Sequence, residues 1–462
     1  MESKRFTSLV VSNNEGLMFG KSPNPITCGF GLTIGAGEVH PEINFTLPTM
    51  SIDENSWLEV VAHYEEIGSM IESASKRLSL SGLVVEFELL PQMTEHPEWG
   101  AEITAILHRH LVQANEEFGL KSALRVTITD IRDNVRPPIL RSGKPWEQML
   151  KSFDLCADAG AHIFSIESVG GKEVNDKAML DGDLDGVIFA LGVLAPLDMA
   201  FLWENITRIS KAKGAIPGGD SACGFANTAM QLAGQHMLPE VFAAIVRAAS
   251  AVRSLIAFEQ GAVGPSKDCA YEGPILKAIT GCPISMEGKS ATCAHFSPIG
   301  NISAAMCDLW SNESVQNIRL LSGSAPEAYL ELLAYDSRLF NQALRSGSET
   351  TLQRLLVDSD AYTSPQALVL TPESTVRIAR AIVGAESNYH RTIEATRAAW
   401  AIIDEASHDG SLSLSGAEKR WMERMKRDID VLPDDEVLFT RSMMLKYKDL
   451  FLPESYGLSE VV

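Results

Sequence analysis

Between residues 81 and 345 the hydrophobic positions change period repeatedly, from short apolar or alternating runs to stretches where apolar residues recur every three or four positions. The short runs predict eight strands: "LVVEFELL" (83–90), "LRVTITD" (124–130), "HIFSIES" (162–168), "GVIFAL" (186–191), "GAIPGG" (214–219), "SLIAFEQ" (254–260), "PISMEG" (283–288) and "NIRLLSG" (317–323). The stretches between them, such as "WGAEITAILHRHLVQANEEFG" (99–119), "PWEQMLKSFDLCADAG" (145–160) and "ANTAMQLAGQHM" (226–237), predict amphipathic helices. Strands alternating with helices predict a parallel sheet, and eight units over about 260 residues match the size of a (β/α)8 TIM barrel. A doubly wound open sheet is the alternative, but no G-x-G-x-x-G follows the first strand, which removes its dinucleotide-binding form.

Outside that region the pattern changes. Residues 1–80 read as an N-terminal extension with a turn-rich start and a helix near 54–77, and residues 346–462 as a helical segment packed on the barrel. The expected fold class is therefore α/β: a TIM barrel over 81–345 with an N-terminal extension and additional helical segments.

Composition narrows the functional classes. A chain of 462 residues with 45% hydrophobic and 21% charged residues is that of a soluble globular protein with room for a barrel and an appendage. A net charge of −21 argues against nucleic-acid and anionic-membrane partners, which require clustered Lys and Arg. The start "MESKRFTSLVVSNNEG" has no apolar signal core, and the most apolar run, 186–203, is broken by Pro196 and Asp198, so a membrane span is not expected and the cytoplasm is the default location. Seven scattered cysteines do not form a secreted disulfide framework. Reduced thiols are expected, some of them available to a metal.

In a barrel, chemistry sits at the C-terminal ends of the strands. The third predicted strand ends in Glu167, the fifth leads into "PGGDSACGFANTAM" with Cys223, and the sixth into "GPSKDCAYEGP" with Cys269. Two thiolates and one carboxylate, leaving a fourth position open, make the ligand count of a catalytic zinc site, and their wide spacing excludes a zinc finger. Cys28, Cys156 and Cys307 read as small buried hydrophobes. Cys282, and the pair Cys293 and His295 in "ATCAHFSPIGN", are harder to set aside as ligands, the pair ranking lower because its two residues point opposite ways in extended chain. Glu86 and Glu88 share a strand face and are expected in a buried network inside the barrel. Asp130 and Asp220 are placed to orient ligands or to face substrate.

The segments "FSIESVGGKEVNDKAM", "IPGGDSACGFANTAMQLAGQ" and "GPSKDCAYEGPILKAITG" resemble those of the zinc-containing methanol:corrinoid methyltransferase subunit. The resemblance runs through most of the chain and is strongest between about 160 and 285. It implies zinc held by Glu167, Cys223 and Cys269, and transfer of the methyl group of methanol to cob(I)amide on a separate corrinoid protein, giving methylcob(III)amide and water. It also implies a hetero-oligomer built on a dimer of this chain. Because hydroxide is a poor leaving group, a Lewis acid and a nearby proton donor are needed. Asp130, Asp220 and Glu259 are the candidates for that donor. A methoxylated compound in place of methanol, a zinc hydrolase and a non-catalytic assembly subunit remain as alternatives.

Overall fold

The structure is a computed structural model that describes residues 4–267, 271–315, 318–321 and 323–458. An antiparallel hairpin of β1 (Lys21–Cys28) and β2 (Leu32–Ala36) precedes a seven-stranded parallel sheet. The sheet holds β3 (His40–Thr46), β4 (Gly82–Glu88), β5 (Lys121–Ile128), β6 (Ile163–Ile166), β7 (Ile216–Asp220), β8 (Ser285–Glu287) and β9 (Leu309–Val315), in the order β7-β6-β5-β4-β3-β9-β8. The extended segment 263–266 bridges the two edges: the Val263 amide donates to the Pro217 carbonyl at 2.9 Å, and Ser266 pairs in parallel with Ile284. The sheet thereby closes into the expected (β/α)8 barrel.

Alternate positions on each strand face the helices and the lumen. The helix-facing set is apolar: Ile43, Phe45, Val85, Phe87, Leu124, Val126 and Ile128 belong to the main core. The lumen is layered. At its N-terminal end Val84, Ala123, Ile163 and Leu309 pack against Cys28, Leu32 and Ile34 of the hairpin, which plugs the barrel. Above them Arg125 donates through Nε to Glu42 at 2.7 Å and through Nη1 to Ser165 at 2.8 Å. Higher still, Glu86 accepts from Lys267 Nζ at 2.8 Å and from Thr127 at 2.6 Å. Glu86 and Glu88 do project inward as a network, and Lys267 joins them.

Five predicted strands appear and three do not. "GVIFAL" falls in the helix Leu184–Phe189 and the π turn Ala190–Leu194, and "SLIAFEQ" ends the helix Glu240–Glu259. The second of these is buried at every position from Val241 onward, and an apolar run cannot tell a buried helix from a buried strand. "NIRLLSG" contributes Arg319–Leu320 to a short ribbon with Gly323–Ser324 outside the barrel, while residues 317 and 322 fall outside the described ones. In their place stand β3, inside the stretch read as an extension, β9, and the 263–266 segment.

The helices Leu184–Lys213 and Glu240–Glu259 are long and apolar enough to cross a membrane, yet their apolar windows are 83% and 100% buried inside the protein. The C-terminal helices wrap this part of the barrel, with Asn388–His408 packed along Glu240–Glu259.

Candidate functional site

Parallel strands deliver their C-terminal ends to one rim, and a cavity of about 230 Å³ opens there, lined among others by Glu88, Asp130, Asp133, Glu167, Lys172 and Gly224. Glu167 follows the last residue of β6. Cys223 opens the π turn Cys223–Asn227 after β7, is half-buried, and its sulfur accepts from Asn227 Nδ2 at 3.7 Å. Its neighbour Gly224 lines the same cavity as Glu167.

Cys269 lies outside the described residues, but the chain on either side of it touches both other loops. Lys267 Nζ is 3.6 Å from Glu167 Oε1. Glu272, buried, accepts the Ala222 amide at 2.8 Å and the Ser254 hydroxyl at 2.7 Å, tying the stretch after Cys269 to the one before Cys223. Among the described residues no three His, Cys, Asp or Glu side chains are grouped to hold a metal.

The expected aspartates grip the backbone just past Glu167. Asp130 Oδ2 accepts the Val169 amide at 3.0 Å, and Asp220 Oδ1 accepts the Ser168 amide at 3.4 Å. Each is neutralised by a buried arginine. Arg132 donates to Asp130 through Nε at 2.8 Å and Nη2 at 2.7 Å, and to Asp198 through Nη1 at 2.7 Å and Nη2 at 2.8 Å. Arg253 donates to Asp220 at 3.0 Å, and the Trp203 indole donates to the other oxygen at 3.1 Å. The oxygens of both aspartates are thus engaged by backbone amides and by the buried arginines.

Glu259 stands elsewhere. It ends the helix that leads into the 263–266 segment, so it lies at the opposite end of the barrel, where it accepts from the Phe6 amide at 3.0 Å and from Arg391 at 2.9 Å. It is not among the residues lining the mouth cavity, because residues 254–259 are helix, which reverses the direction of that segment along the barrel. Cys293 is exposed, and His295 pairs through Nδ1 with Glu287 at 2.9 Å.

Burial raises the pKa of Asp133 above the ordinary aspartate value and Asp130 adds to this, against the pull of Arg136 and Lys172. Burial also acts to raise Glu86, but Lys267 and Arg125 outweigh it and hold the carboxyl low. The thiols of Cys28 and Cys156 are pushed up to about 12, above all by burial, which fits inert core residues. Lys267, Glu272, Arg132, Arg253 and Asp133 escape the sequence reading. Lys267 and Glu272 flank Cys269 within a quoted motif, whereas Arg253 immediately precedes the run 254–260 expected as a strand. A larger groove of about 900 Å³ lies outside the barrel, between Val193, Leu197, Asn388 and Val437, and contains no cysteine or histidine among its lining residues.

A family model described as methanol-cobalamin methyltransferase B subunit matches residues 3–457. A curated relative from Methanosarcina barkeri (strain Fusaro / DSM 804), the methanol--corrinoid protein co-methyltransferase, is 39% identical over 465 residues, covering 99% of this chain and all of the relative. In the crystal structure of the methanol:cobalamin methyltransferase complex MtaBC from Methanosarcina barkeri, one chain is 38% identical, with a TM-score of 0.94 over 98% of this chain and 100% of that one.

Proposed function

The chain belongs to the methanol-cobalamin methyltransferase B subunit family, and we propose on that footing that it transfers the methyl group of methanol to cob(I)amide on a corrinoid protein, giving methylcob(III)amide and water. The observation that carries this reading is the end-to-end match to a methanol--corrinoid protein co-methyltransferase, 39% identical with no large part of either chain left over. A relative solved as the complex MtaBC supports a corrinoid-bearing partner; docking over the barrel mouth and an assembly built on a dimer of this chain are part of the same proposal. Six described cysteines without disulfides agree with a cytoplasmic setting.

Glu167, Cys223 and Cys269 are the residues that would hold zinc. The donor chemistry fits: two thiolates and a carboxylate leave an open position, and Glu167 shares a cavity with the neighbour of Cys223. Zinc bound there supplies Lewis acidity toward the alcohol oxygen. Those ligands leave one net negative charge on the site, and the Lys267 ammonium, shared with Glu86 and Glu88, lies 3.6 Å from Glu167. Asp130 and Asp220 fix the turn that aims Glu167. Asp133 takes the donor role expected of a rim carboxyl, since it lines the cavity and its carboxyl is held toward the protonated form. The test is to mix the zinc-loaded protein with methanol and cob(I)alamin and follow the methylcobalamin spectrum. Methylcobalamin formation supports the assignment, and a zinc-loaded protein inert towards methanol contradicts it.

A further inference from the structure

The mouth cavity has a neighbour. A second cavity of about 350 Å³ is lined by Pro137, Pro138 and Leu450, and Asp133, Val169 and Lys172 line both. These three side chains form the partition between the two spaces. Lys172 is the one whose position is fixed at both ends. Its alkyl chain lies directly on Gly224, where an added Cβ would stand 2.9 Å from Lys172 Cε and 3.2 Å from Cδ. Its ammonium is tethered to Asp176, one helical turn on. The chain is thus stretched across the backbone beside Cys223, with its ammonium held by Asp176, which lines the second cavity.

We propose that Lys172, laid over Gly224 and tethered to Asp176, is the wall that closes the donor pocket to methyl donors larger than methanol, methoxyarenes above all. This rests on the methyl-transfer reading. In a methoxyarene the methyl carbon and the oxygen occupy the places they have in methanol, and an aryl ring replaces the hydroxyl hydrogen, so only space beyond the oxygen distinguishes the two donors. The second cavity offers that space, with apolar faces from Pro137, Pro138, Val169 and Leu450 alongside the charged Arg136, Glu173, Asp176 and Asp449. The reaction would be the same displacement: the methyl–oxygen bond breaks with its electron pair left on oxygen, the cob(I)alamin electron pair forms the cobalt–carbon bond, and the phenolate takes a proton from solvent.

The test compares wild type, K172A, K172M and V169A as zinc-loaded full chains with cob(I)alamin and either methanol or 2-methoxyphenol. In K172A the ratio of kcat/KM for 2-methoxyphenol to that for methanol should rise by at least about tenfold, the size of effect a pocket wall delivers, with V169A shifting it the same way. K172M keeps the chain length without the charge and should stay within about twofold of wild type. Equilibrium dialysis of 2-methoxyphenol against the zinc-free chains gives a second readout, with tighter binding to K172A and not to K172M. An unchanged ratio in K172A and V169A overturns the proposal, as does K172M relaxing selection as far as K172A, which would assign it to charge. A wild type inert towards methanol, with the binding gain of K172A intact, would sink the methyl-transfer reading and leave the wall standing.

Discussion

Arg132 lies fully buried between Asp130 and Asp198, and that triad sets the cost of disturbing the turn after Glu167. Burial acts to lower the Arg132 pKa, but the two carboxylates outweigh it and hold the guanidinium charged. Arg132→Met strands two buried carboxylates and should cost about 3–5 kcal/mol in urea unfolding, while Asp198→Asn, which keeps shape and one acceptor, should cost about 1–3 kcal/mol. Asp133→Asn should lower kcat with methanol about 100-fold. An acid must be protonated to act, so wild-type kcat should fall as pH rises through the Asp133 pKa, and the variant should lack that limb. A second titration lies far from the mouth. His162 accepts the Leu124 amide on Nδ1 at 3.0 Å, and burial, helped by His108, lowers its pKa from 6.5 to about 4. The folded value lies below the unfolded one, so this contribution is whole above pH 6.5 and is lost as pH falls toward 4, by up to about 3 kcal/mol. Denaturation midpoints across that window should fall less in His162→Gln than in wild type. At this scale the strand-end positions of Glu167 and Cys223, each in a glycine-rich turn, were legible in the sequence. The placement of Glu259 was not legible, because the apolar run 254–260 does not reveal that it is helix and so runs the other way along the barrel.

At the scale of elements, the polar lumen decides what the sequence can disclose. Glu42, Asn44 and Ser311 face inward on β3 and β9, so these strands lack the apolar run that marks a buried parallel strand. The helix Glu240–Glu259 has such a run because every side is covered. The two ends of the barrel divide the work, stability at the plugged end and chemistry at the mouth. Phe30, at the tip of the β1–β2 hairpin, stacks edge-on against His162 at 5.0 Å and lies 5.6 Å from His108. Phe30→Ala should lower stability by about 2 kcal/mol, less than for a fully buried ring, and leave KM for methanol unchanged. A changed KM measured in the variant would mean that the two ends are coupled.

Across the whole molecule the segments outside 81–345 are sewn into the barrel. Arg391 of the C-terminal helices and the Phe6 amide of the N-terminus meet at Glu259, and Asn388–His408 covers the buried helix Glu240–Glu259. A chain ending at residue 345 would bare that apolar surface and should be recovered aggregated in size-exclusion chromatography. A soluble truncation with a cooperative thermal transition would contradict this. A net charge of −21 argues against nucleic-acid or anionic-membrane electrostatics as the basis of partner recognition. The central claim is that three residues from three separate loops hold one metal over this mouth. It is tested most directly by the zinc content of purified wild type and of Cys269→Ala. Wild type should carry about one zinc per chain and the variant little, with methylcobalamin formation lost alongside it. A Cys269→Ala protein that keeps its zinc would contradict it.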